Sequence, residues 1–101
     1  MTNRMRPIHP GEILKDELAA LQLSANAFAK ALGVPANRIT GILNEQRSVT
    51  ADTALRLARF FGTTPEFWMS LQASYDIKKA RQLVGKEIER AVKPSPAKLA
   101  A

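Results

Sequence analysis

Apolar residues recur at helical spacing in five successive windows of the chain. Ile13, Leu14, Leu18 and Leu21 form a stripe over 11–21, and Ala27, Phe28, Ala31 and Leu32 a second. Ile39, Ile42 and Leu43 form a third, and Ala54, Leu57, Ala58 and Phe61 a fourth. The fifth window is long, FWMSLQASYDIKKARQLVGKEIERAV. Phe67, Trp68, Leu71 and Tyr75 line its first half, and Ile77, Ala80, Val84, Ile88 and Ala91 its second. The breaks between windows carry helix punctuation. Ser24, Thr50 and either Thr63 or Thr64 are good N-caps, because a hydroxyl accepts from an orphan N–H of the first turn. Gly33 and Gly62 stand where left-handed C-terminal residues are needed. Pro35 and Pro65 stand where a first helical residue lacks a partner for its N–H. His9 and Pro10 open the first helix, with His9 as a cap or packed ring. Glu45 to Val49 read as a polar loop. The pattern predicts an all-α chain of five helices, with a sixth segment if Gly85 breaks the last.

Ser24 to Asn44, SANAFAKALGVPANRITGILN, is the most informative stretch. A short helix, a glycine corner and a second helix make a helix-turn-helix. The second helix buries Ile39, Ile42 and Leu43. Its other face carries Asn37, Arg38, Thr40, Gly41 and Asn44, small or polar as a face entering a DNA groove requires. The alternative for this stretch is a plain helical hairpin with a solvated polar face.

Composition narrows the function. The 101 residues suit one small domain with a tail, and 46% hydrophobic content supports a core. A monomer this small is only marginally stable, which favours a dimer. The net charge of +6 favours a polyanionic partner. It divides evenly, +3 over residues 1–62 and +3 over 63–101, so it does not by itself point to the helix-turn-helix. With no cysteine and one histidine, zinc and iron–sulfur sites are excluded. No cofactor is expected, and no nucleophile with an evident base marks an enzyme. No apolar run approaches a membrane span, and the N-terminus has no apolar signal segment. The expected setting is cytoplasmic, at the nucleoid, with no membrane partner. The residues before Ile8 and the tail KPSPAKLAA read as mobile.

Several blocks together resemble a known family. HPGEIL at 9–14, LGVPANRIT at 32–40, TADTALRLARFFGT at 50–63, PEFWMSLQ at 65–72 and the pair Tyr75 and Asp76 resemble the HigA-type (VapI-like) antitoxins. These are helix-turn-helix regulators of the phage-repressor-like (XRE) group. The resemblance covers roughly Pro7 to Ala80, which divides the chain into a DNA-binding domain, 1–80, and a C-terminal helical extension with its tail, 81–101. It implies a five-helix domain, a homodimer, binding to an inverted-repeat operator in double-stranded DNA, and a HigB-like mRNA-cleaving toxin as partner. One departure stands out. The family has a glycine and a lysine before the arginine matched by Arg47, where this chain has Glu45 and Gln46. A left-handed turn is harder for glutamate than for glycine.

By resemblance to phage-repressor-like domains, Ala36, Asn37, Thr40 and Gly41 face the groove and Arg38 stands at its edge. Asn37 suits adenine, Arg38 guanine or a phosphate, and the Ala36 or Thr40 methyl a thymine methyl. Gly41 would allow close approach of helix and DNA. Ser24, Asn26, Asn44 and Arg47 are the phosphate candidates; for Arg47 a merely solvated arginine is the alternative. Two functions remain: an antitoxin that represses its own operon, or a stand-alone regulator whose last helix only dimerises. Phe67, Trp68 and Leu71 are expected in the core rather than on a toxin-binding surface.

Overall fold

The computed structural model describes residues 6–97 and contains five helices in that span. They are α1 (Pro10–Leu21), α2 (Ala25–Leu32), α3 (Ala36–Leu43), α4 (Ala51–Phe61) and α5 (Pro65–Ala91). The mobility read for the first residues and the tail falls partly on 1–5 and 98–101, outside the described residues.

The punctuation acts as its chemistry dictates. Ser24 Oγ accepts from the Ala27 N–H at 3.0 Å. Thr50 accepts from Thr53 at the head of α4, and Thr64, rather than Thr63, caps α5. Thr63 instead accepts from Trp68 Nε1 at 2.8 Å. Pro35 differs from expectation. It is the extended N-cap of α3, and the helix begins at Ala36. His9 caps α1 through Nδ1, which accepts from Gly11 N–H at 2.9 Å, while its ring meets the Tyr75 ring edge-on at 4.8 Å.

The core gathers Leu14, Leu18, Phe28, Leu32, Ile39, Ile42, Val49, Ala54, Leu57 and Trp68. Phe28, Phe61 and Trp68 form an aromatic chain through it, with ring spacings of 5.7 Å at each step. Four expected core positions are corrected. Ala27 and Ala31 are exposed, and Ala29 takes the buried place between Phe28 and Leu32. Leu21 is exposed at the end of α1, and Phe67 is 45% exposed, one residue off the inward line of Trp68 and Leu71. Val49 is also misread as loop surface; it is buried.

α5 is continuous through residue 80 and through Gly85. Its first turns pack on α4 and α1. With about 1.5 Å per residue, its 27 residues span roughly 40 Å. The end of the helix therefore projects, and the chain measures 53 × 26 × 24 Å.

Candidate nucleic-acid interface

α2 and α3 form the expected helix-turn-helix. Gly33 turns the chain at φ 71°, and the corner closes with Gly33 N–H to Lys30 O and Val34 N–H to Ala29 O. These are the two bonds of a Schellman motif, which a left-handed residue completes. α3 is then wedged from behind. A Cβ on Gly11 would collide with the Ile42 carbonyl, so the head of α1 crosses α3 at backbone contact. Ile39 and Ile42 are fully buried. The opposite side of α3 faces outward by geometric necessity.

At 100° per residue, Ala36, Thr40, Asn44, Asn37 and Gly41 share an arc of about 140° on that outward side. Ala36, Asn37 and Asn44 are exposed and Thr40 and Gly41 half-buried. Thr40 Oγ1 donates back to the Asn37 carbonyl at 3.4 Å. Ser24 and Asn26 are exposed at the head of α2. The Ser24 oxygen is engaged as a cap, but its own proton is free to donate to a phosphate.

Two of these residues have partners that the sequence did not show. Arg38 lies off the arc, toward α4, and its Nη1 donates to Asp52 at 2.6 Å. Asp52 also accepts from Arg56 Nε at 3.0 Å, and Arg56 Nη1 donates to the Leu32 carbonyl at 2.8 Å. The Arg56 and Arg38 guanidiniums hold the Asp52 carboxyl below the usual carboxylate range. Gly41 is not bare. The Cδ and Cγ of Arg47 lie 2.8 and 2.9 Å from where its Cβ would stand, so the missing side chain makes room for the Arg47 stem. Arg47 thereby extends along the outward side of α3.

The corner after α3 also closes as a Schellman motif, with Glu45 N–H to Ile42 O and Gln46 N–H to Gly41 O. Glu45 takes the left-handed place at φ 62° despite its Cβ. The loop is pinned farther on by Gln72, which sequence reasoning missed. Its Oε1 accepts from the buried Val49 N–H at 2.7 Å and its Nε2 donates to Asp76 at 2.9 Å. The pinned loop leaves a cleft of about 310 Å³ lined by Arg38, Arg47, Ser48, Thr50 and Thr53, at the head of α4. Two guanidiniums and a helix N-terminus make it suited to an anion. A larger open groove, about 720 Å³, lies between α2 and α4 and includes no residue of α3. Of these partners only the Asp52–Arg56 pair, at i and i+4, was readable in the sequence.

Known proteins place this geometry in a family. Residues 14–68 match the family described as Helix-turn-helix. Virulence-associated protein I of Dichelobacter nodosus is 54% identical over 81 residues, covering 79% of this chain and 75% of that protein. A solved addiction module antidote protein of the HigA family, from Coxiella burnetii, is 64% identical with a TM-score of 0.87, over 90% of this chain and 100% of its own. The chain belongs to the HigA-type helix-turn-helix family. Pseudomonas aeruginosa antitoxin HigA, solved with the higBA promoter, is 48% identical with a TM-score of 0.85, over 88% of this chain and 98% of its own. The HigA-type family comprises DNA-binding regulators and not enzymes. Among the described residues no helix is long and apolar enough to cross a membrane.

Proposed function

We propose that the chain is a homodimeric antitoxin that represses its own operon and neutralises a HigB-like mRNA-cleaving toxin. The observation that carries the DNA half is the outward arc of α3, held rigidly by Gly11, Ile39 and Ile42 in a HigA-type chain. In this reading Asn37 pairs bidentately with adenine, and the Ala36 and Thr40 methyls meet thymine. Gly41 acts indirectly, by seating the Arg47 stem beside α3. Ser24, Asn26, Asn44 and Arg47 hold phosphates and set the register. Arg38 serves the edge of the site under the control of Asp52. Two copies about a twofold axis would read half-sites about 34 Å apart, so the operator is an inverted repeat.

Replacing Asn37 by alanine is expected to cost about 1–3 kcal/mol on the operator and to relax one base position. Titration of operator and scrambled duplexes by fluorescence anisotropy checks this. Equal losses on both duplexes would make Asn37 a backbone contact. The toxin half is tested by co-purification from the native host. A tagged chain that brings down a small ribonuclease supports the antitoxin; one that brings down none favours the stand-alone regulator.

A further inference from the structure

One carboxylate stands inside the basic edge of the site. Asp52, in the first turn of α4, is shared by Arg38 at 2.6 Å and Arg56 at 3.0 Å. Arg56 is fixed on its far side by the Leu32 carbonyl at the helix-turn-helix corner. Arg38 is the partner that faces the anion-suited cleft, which it lines together with Arg47, Ser48 and Thr50. Its side chain is 32% exposed and borders the cleft, so a phosphate entering there competes with Asp52 for it.

We propose that Asp52 is a specificity-determining residue, which keeps Arg38 out of the pool of cations that any DNA would neutralise and so suppresses binding to non-operator sequence. This rests on the operator-binding reading above. Binding to arbitrary DNA is driven by counterions released when free cations meet phosphates. A paired arginine gains little there. It must give up a carboxylate to take a phosphate, and it leaves an unbalanced anion beside the backbone. On the operator the base contacts of α3 fix the register and supply the affinity while Arg38 stays paired with Asp52. The burden of the Asp52 pair therefore falls on wrong sequences.

The test uses the full chain and two probes. One is a duplex that the wild-type chain enriches from a random library; the other is a scrambled duplex of equal length. Asp52→Asn is expected to raise affinity for the scrambled duplex about threefold or more at ~0.1 M salt and to steepen its salt slope by about one. Operator affinity should rise less, so the ratio of the two falls. In an Arg38→Gln background the gain from Asp52→Asn should largely vanish, and Asp52→Glu should keep the wild-type ratio. Unchanged scrambled-duplex affinity, or the same gain with and without Arg38, overturns the proposal, since the latter is a general charge effect. Should Asp52→Asn fail to fold, Arg38→Gln alone decides. Arg38→Gln should leave the salt slope on the scrambled duplex unchanged, since a paired arginine releases no counterion, and a slope shallower by about one overturns the proposal. A wild-type chain that enriches no duplex removes the operator-binding reading itself. Enrichment followed by an unmoved ratio in Asp52→Asn removes this inference alone.

Discussion

Glycines carry most of the residue-scale information, and for different reasons. Gly11 in the HPGE block is needed because the Ile42 carbonyl occupies the space of a side chain. The sequence displays that glycine but not the neighbour 31 positions on that requires it. Gly41 was legible as a small residue on α3, but its second use was not, because the atoms that come closest to the missing Cβ belong to Arg47, six positions on. Glu45 shows the converse. Its departure from glycine was plain in the sequence, yet the bonds to Ile42 and Gly41 still hold it left-handed at φ 62°. A non-glycine residue there costs about 1–2 kcal/mol, partly offset by the lower unfolded-state entropy of glutamate relative to glycine. Glu45→Gly is therefore expected to stabilise the chain by about 0.5–1 kcal/mol and to raise the melting temperature by about 4 °C. A calorimetric melt at neutral pH measures it. An unchanged or lower midpoint would mean that the Glu45 side chain contributes something that offsets its strain.

At the scale of elements, helix boundaries were legible because caps act within three residues. Ser24, Thr50, Gly33 and Gly62 needed no tertiary information, whereas the choice of Thr64 over Thr63 rests on the bond from Trp68 to Thr63. What joins the elements was not legible. Gln72 meets Val49 across 23 residues and Arg38 meets Asp52 across 14, and neither pairing has a local signature. Gly85 illustrates the limit from the other side. A glycine in a helix interior is a weak point of about 0.5–1 kcal/mol, not a break, when the flanking residues are good helix formers. α5 passes through it, and a Cβ there would meet only the Arg81 Cβ at an ordinary 3.7 Å. Gly85→Ala is thus expected to add about 0.5–1 kcal/mol of helix stability at no steric cost. Amide hydrogen exchange over residues 81–91 is the sensitive readout, since that end of α5 is exposed and stands off the core. Exchange that is no slower in the alanine variant would show that the end of α5 is held by something other than its own helicity.

The whole molecule poses a different problem, one of uncovered surface. A chain near 100 residues folded into a sphere has a radius of gyration near 13 Å, and this one has 16.9 Å. The excess comes from α5, whose far half leaves the domain with Ile77, Val84 and Ile88 on one face, 51%, 38% and 51% exposed. A polar helix end of this length would be marginal alone in water, and burying that face against a second copy would stabilise it. We place the contact of the proposed homodimer on this face. Val84→Gln with Ile88→Gln keeps helix propensity and charge, and touches no core residue. The monomer fold should be little affected, within about 0.5 kcal/mol. Light scattering on the eluting protein is expected to give two chains for the wild type and one for the variant. Operator binding should weaken with it, because one α3 reads a single half-site. A variant that stays dimeric would move the twofold contact off this face, and a wild type that is monomeric at tens of micromolar would remove the inverted-repeat operator along with the dimer.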